Sequence, residues 1–104
     1  MYYEMRTYTV KLGQIKEYNK LFEEIGYPII SKYTTLVGWW HTEIGELNQL
    51  IHIWAYESLD ERTKKRAELY QDPAWLNDFV PKAFPLLEKQ ESKLLIAAPF
   101  SPIK

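Results

Sequence analysis

The stretch Leu36–Tyr56, LVGWWHTEIGELNQLIHIWAY, constrains the fold more than any other. Two apolar, aromatic-rich runs flank a polar segment, Glu43–Asn48, which is the pattern of a β-hairpin with two long strands. Three of the four tryptophans and both histidines lie in it. Successive side chains of a strand point to opposite faces. The second run therefore splits into an aliphatic face (Gln49, Ile51, Ile53, Ala55) and an aromatic face with polar tips (Leu50, His52, Trp54, Tyr56). The aliphatic face suits a helix packed on it, and the aromatic face suits a second sheet or a ligand.

The rest of the chain supplies the partners. Residues 2–10, YYEMRTYTV, alternate and are rich in β-branched and aromatic types, which predicts a strand. Tyr3, Met5, Thr7 and Thr9 share one of its faces; Glu4, Arg6, Tyr8 and Val10 share the other. Ile15, Tyr18, Phe22 and Ile25 recur at helical spacing, and Gly26-Tyr27-Pro28 should break or kink that helix before a further turn to about Tyr33. Ser58-Leu59-Asp60-Glu61 has the form of a capping box opening a helix that runs to about Gln71. The cluster Arg62, Lys64, Lys65 and Arg66 reads most simply as a solvated helix face. Asp72-Pro73 marks the N-cap and first residue of another short helix, irregular after Pro81 and Pro85. Residues 90–97 read as a last strand.

The order β-α-β-β-α-β is the ferredoxin-like pattern, an α+β fold with a four-stranded antiparallel sheet and helices on one face. All 104 residues form one domain. If the aliphatic face meets the helices, Arg6, Tyr8, Leu50, His52, Trp54 and Tyr56 lie on the uncovered face. Leaving each large ring there in water forfeits roughly 1.5–3 kcal/mol. About eight strands close a filled barrel, so two copies meeting by these faces would cover them. The expected assembly is a homodimer forming a dimeric α/β barrel.

Composition narrows the partners. With 13 basic and 14 acidic residues the net charge is −1, which gives no electrostatic case for nucleic acid or an anionic membrane. There is no cysteine, hence no disulfide framework or thiolate-bound metal. No apolar run reaches the ~18 residues of a membrane span, and no signal-peptide pattern opens the chain, so a cytoplasmic location is expected.

The segments Y-E-M-R-T-Y-T-V-K at 3–11, L-V-G-W-W-H-T-E-I-G at 36–45, L-N-Q-L-I-H-I-W-A-Y at 47–56 and Q-E-S-K-L-L-I-A-A-P-F-S-P at 90–102 resemble the NIPSNAP family, in family order and over nearly the whole chain. That resemblance implies the dimeric α/β-barrel group, whose wider membership includes cofactor-free quinol monooxygenases and haem-degrading enzymes. It implies a fold and a dimer, and no established catalytic residues.

His52 is the foremost chemical candidate, because histidine changes charge near neutral pH. Arg6 could hold or polarise an anionic group, and Glu4 could pair with it. With Tyr8, Trp40, Trp54 and Tyr56 they form the expected ligand-binding set, the rings stacking on a flat compound. Each has a plainer role as a packed or hydrogen-bonded interior residue. His41 depends on the hairpin register, and no histidine spacing supports a metal site. Three functions follow. The first is a small-molecule-binding barrel, whose enzymatic form performs cofactor-independent chemistry on an aromatic or polyketide-like compound. The second is a non-catalytic module with a filled interior. The third is a haem-binding protein with His52 as proximal ligand.

Overall fold

In the computed structural model, which describes residues 1–104, the alternating run Tyr2–Val10 forms strand β1. Helix α1 (Ile15–Leu21) passes through a π-helical turn, Phe22–Gly26, into α2 (Tyr27–Ile30). The hairpin follows as β2 (Thr35–His41) and β3 (Gln49–Tyr56), with Gly45 and Asn48 at positive φ in the connection. Helix α3 spans Leu59–Leu69. A second π-helical turn, Trp75–Phe79, leads into α4 (Val80–Ala83), a 3-10 turn at Phe84–Leu86 and strand β4 (Leu87–Leu95). The sheet is antiparallel and open, in the order β2-β3-β1-β4. Residue types and order thus give the expected ferredoxin-like α+β fold, with β1 and β3 central.

Both prolines that were expected to interrupt helices are instead absorbed. A helical proline lacks its N–H and clashes with the carbonyl four residues back, here that of Glu24 for Pro28 and of Asn77 for Pro81. Each of those carbonyls lies inside a π-helical turn, where the backbone is wider. The Tyr27 and Val80 N–H groups accordingly reach back five residues, to the Phe22 and Trp75 carbonyls. Gly26 packs against Phe79: a Cβ at Gly26 would stand 2.7 Å from Phe79 Cε1. Phe79 is buried and cannot retreat. Gly26→Ala should therefore destabilise by about 1–3 kcal/mol through overpacking, despite the better helix propensity of alanine. Urea denaturation checks this, and a stabilised variant would show that the two turns separate easily.

The α3 cap forms with one change of partner. Ser58 Oγ accepts from the Glu61 N–H at 3.0 Å, as expected. The Glu61 carboxylate returns to the Glu57 N–H at 2.6 Å, one residue earlier than in a standard capping box. Asp72 likewise caps its helix, accepting from the Ala74 N–H at 2.9 Å.

The helices cover the opposite sheet face from the one expected. Along β3, Leu50, His52, Trp54 and Tyr56 are buried, while Gln49, Ile51, Ile53 and Ala55 are half-exposed. On β1 the buried residues are Glu4, Tyr8 and Val10. Area explains the inversion. The helical segments bring Tyr18, Phe22, Trp75 and Phe79 to the sheet, and these join Trp54 and Tyr56 in one core. Aromatic side chains bury about 150–250 Å² each, far more than Ile51, Ile53 and Ala55 offer. Most polar tips do not oppose this choice: Glu4, Trp54 Nε1 and His52 Nδ1 find partners inside. The open face is thus the aliphatic one, with Tyr3, Met5, Thr7 and Thr9 beside Ile51, Ile53 and Ala55.

Candidate functional site

A small cavity of about 30 Å³ lies between the sheet and the helices, walled by Arg6, Tyr8, His52, Trp54 and Tyr56 from β1 and β3. Trp39 comes from β2, Tyr18, Phe22 and Ile30 from the first helical segment, and Arg66, Leu69, Tyr70, Trp75 and Phe84 from the second. The space holds about two waters and no aromatic ring as it stands. Arg6 and His52 are directly opposed across β1 and β3, so these two candidates do share a site although 46 residues separate them.

The expected pocket residue Trp40 is displaced by its neighbour. β2 carries a bulge between Leu36 and Gly38, so Leu36 pairs with Trp54 and Trp39 pairs with His52. One extra residue shifts every following side chain to the other face. Trp39 therefore enters the pocket, and Trp40 stands 53% exposed on the open face. Gly38 does make room, but for the Trp40 indole, which occupies the space a Cβ would need. His41 lies at the exposed end of β2, 3.1 Å from Glu43 Oε2.

His52 is 2% exposed and enclosed by rings. Trp39 stacks on it with centroids 4.1 Å apart, and Tyr8 meets it edge-on at 4.5 Å. Its Nδ1 accepts the Trp54 Nε1–H at 2.7 Å. An indole nitrogen can only donate, so the neutral ring carries its proton on Nε2. Burial, with the Arg6 charge acting in the same direction, lowers the imidazole pKa from 6.5 to about 3. His52 is thus a neutral hydrogen-bond donor at pH 7 rather than a base. Its Nε2 has no hydrogen-bond partner, and neither does Trp75 Nε1, also deeply buried. Such orphaned donors are uncommon in folded interiors.

Glu4 was expected to pair with Arg6 and does, at 2.9 Å, but it is also the centre of a larger cluster. Arg62 donates to it twice, Nε to Oε1 at 3.1 Å and Nη2 to Oε2 at 2.7 Å, and Ser92 Oγ donates as well. Burial opposes ionisation of Glu4, yet the bonds from Arg62 and Ser92 and the Arg6 charge outweigh it and hold its pKa at about 2. Arg6 Nε also donates to the Tyr8 hydroxyl at 3.1 Å. Arg62, bonded to Glu4, and Arg66, which lines the cavity, are therefore not part of a solvated face. The signal that could have found Arg62 was the burial of Glu4 itself, which requires more than one cationic partner. Trp39, Tyr18 and Trp75 were also missed as pocket residues. Trp39 is anchored by its Nε1–H to Asn19 Oδ1 at 2.9 Å.

The protonation chemistry of His52 predicts an acid sensitivity. Unfolded, the ring takes a proton below pH 6.5; folded, only near pH 3. Between these values the unfolded state binds more protons, so stability falls as pH drops. At pH 5 the loss should be about 2 kcal/mol. Urea midpoints at pH 7 and 5 measure it, and His52→Phe should remove most of the difference.

Comparison with known proteins places the chain. A sequence model of the NIPSNAP family matches residues 3–102. The human protein NipSnap homolog 3A is 32% identical over 101 residues, covering 96% of this chain and 40% of its own length. The chain thus spans about two fifths of that relative. The crystal structure of a NIPSNAP family protein with unknown function from Agrobacterium tumefaciens superposes with a TM-score of 0.97 at 45% identity, covering 100% of this chain and 94% of that one. A cofactor-independent oxygenase from Streptomyces nogalater, 17% identical, superposes with a TM-score of 0.66 over 97% of this chain and 96% of its own, a likeness of fold. With its family signature running from the first strand into the C-terminal tail, this chain belongs to the NIPSNAP family.

Proposed function

We propose that the chain is a small-molecule-binding protein that acts as a homodimer and accepts a flat aromatic or polyketide-like compound between the sheet and its helices. The observation that carries this reading is the buried, unpartnered Nε2–H of His52 on an aromatic-walled cavity. It offers a fixed donor to one polar atom of a ligand, and the rings offer the apolar contact that small-molecule sites use. Arg6 stands across from it to polarise an oxygen. The cavity needs to enlarge to admit a ring, and Trp39 is the element that can move. Trp39 and Phe22 also border an outer groove of about 280 Å³, lined further by Asn19, Glu23, Tyr27 and Leu36. A swing of Trp39 off Asn19 joins groove and cavity into a volume in the usual range of ligand pockets, about 300–1,000 Å³. The Streptomyces relative in fold, a cofactor-independent oxygenase by name, adds support for chemistry of that kind.

The dimer follows from the open face. Tyr3, Met5, Ile51, Ile53 and Trp40 there are all partly or largely exposed. Two such faces meeting would bury them and supply the eight strands of a barrel. In this arrangement the ligand sites lie outside the barrel, each within one protomer.

A second reading, a non-catalytic module with a filled interior, draws on the 30 Å³ volume and the tight Trp39–His52 stack. Haem fits poorly, because His52 Nε2 carries a proton and the cavity has no room for a macrocycle. Titration with 1,4-dihydroxynaphthalene, followed by NMR at the Trp39 indole and His52 ring, separates the first two. Perturbation of both, with tighter binding by Trp39→Ala, is expected. Saturable binding that leaves both signals unmoved, or no binding by either protein, would favour the filled module. Light scattering at micromolar concentration should give twice the 12.4 kDa chain mass.

A further inference from the structure

The side chains around the cavity are unbalanced in charge. Among its fourteen lining residues there are two arginines and no carboxylate. The nearest carboxylate, Glu4, is already engaged by Arg6, Arg62 and Ser92. Arg66 has no ion-pair partner and lies 5.8 Å from the centre of the Tyr70 ring. Deeper in, His52 and Trp75 are 2% and 5% exposed, and each holds a nitrogen with no hydrogen-bond partner. The Trp75 nitrogen can only donate, and the Trp54 bond to Nδ1 makes the His52 nitrogen a donor too. Two buried donors left open on residues that line one cavity are a cost to the fold unless something accepts from them. An uncharged acceptor would meet that need only in part, because the arginine side of the cavity favours negative charge.

We propose that this cavity is a binding site for an anionic oxygen, a carboxylate or an enolate, which accepts from His52 Nε2–H and Trp75 Nε1–H and is drawn in by Arg66 and Arg6. This deepens the small-molecule reading above and rests on it. His52 and Arg6 were singled out from the sequence, whereas Trp75 and Arg66 are new to the site. The arrangement resembles an oxyanion hole in its logic: neutral donors fixed in an enclosed space, with net positive charge nearby but not in an ion pair with the ligand. The carbon skeleton of the ligand then points towards Trp39 and the groove beyond it.

The test uses benzoate and its uncharged isostere benzamide with the full chain at pH 7. Binding is followed through the indole N–H resonances of the four tryptophans, assigned with Trp75→Phe. That variant keeps a ring in the core and removes only the donor and part of the area. The proposal expects benzoate to move the Trp75 indole resonance and to bind at least about tenfold more tightly than benzamide. It also expects Trp75→Phe to lose most of that preference while still binding benzamide. Equal binding of the two compounds, with shifts at Trp39 but not at Trp75, would overturn the anion assignment and leave the small-molecule site standing. Failure of both compounds to bind, in wild type and in Trp39→Ala, would overturn both.

Discussion

Glu4→Gln is expected to destabilise the protein by about 3–5 kcal/mol, the range for removing one partner of a buried ion pair. Glutamine matches the shape of glutamate, so packing barely changes. Its amide nitrogen, however, would face the donors of Arg6 and Arg62, which now converge on the carboxylate at 2.9 and 2.7 Å. Arg6 is largely buried and would be left without its counter-charge. The loss should depend on pH with a defined sign. The folded pKa of Glu4, about 2, lies below its ordinary 4.5, so its contribution is complete above pH 4.5 and disappears as pH falls towards 2. The variant should therefore converge on wild type in acid. Guanidinium denaturation at pH 7 and pH 3 reads both effects, and a loss under about 1 kcal/mol at pH 7 would mean that water already serves these arginines.

Trp54→Ala should cost a similar 3–5 kcal/mol, the usual range for deleting a buried aromatic. Trp54 is 3% exposed and sits in the core with Phe22, whose ring meets it edge-on at 6.3 Å. It also does something a plain core residue does not, because its N–H fixes the tautomer of His52. Trp54→Phe separates the two roles: it should retain most of the stability and still release His52 Nδ1. In that variant the ring can place its proton on either nitrogen, and the ¹⁵N shifts of His52 should report a mixture. Unchanged ¹⁵N shifts would show that something other than Trp54 sets the tautomer.

The parts of this molecule legible from sequence are those that local rules decide. Alternation identified β1 and β3, helical spacing identified Tyr18 and Phe22, and the Ser58 cap fell where the side-chain chemistry placed it. The shared face of Arg6 and His52 followed from strand alternation and the adjacency of β1 and β3 that the family resemblance implies, although the aliphatic layer used to align the two faces lies on the open side. Which face the helices would cover was not a local question. It turned on whether Glu4, Trp54 and His52 Nδ1 could find partners inside, and the answer required Arg62, 58 residues from Glu4, and a histidine–tryptophan bond along one strand. Judging the aliphatic side as the natural helix contact undervalued both ring area and those partners. The choice between Trp39 and Trp40 was hidden for another reason. A single bulge sets it, and a bulge leaves no mark in the alternation of so aromatic a strand.

That bulge also shapes how the family can vary. In most strands a one-residue deletion is ruinous, because it turns the buried set outward. In β2 the extra residue is Val37 itself, so its loss would straighten the strand and leave every later pair as it is, Gly38 with Ile53, Trp39 with His52 and Trp40 with Ile51. The cavity wall would keep its indole. A one-residue loss between Gly38 and His41 has no such cushion, because it would turn the following side chains to the other face. Length variation in this strand is thus harmless at one position and costly at its neighbours.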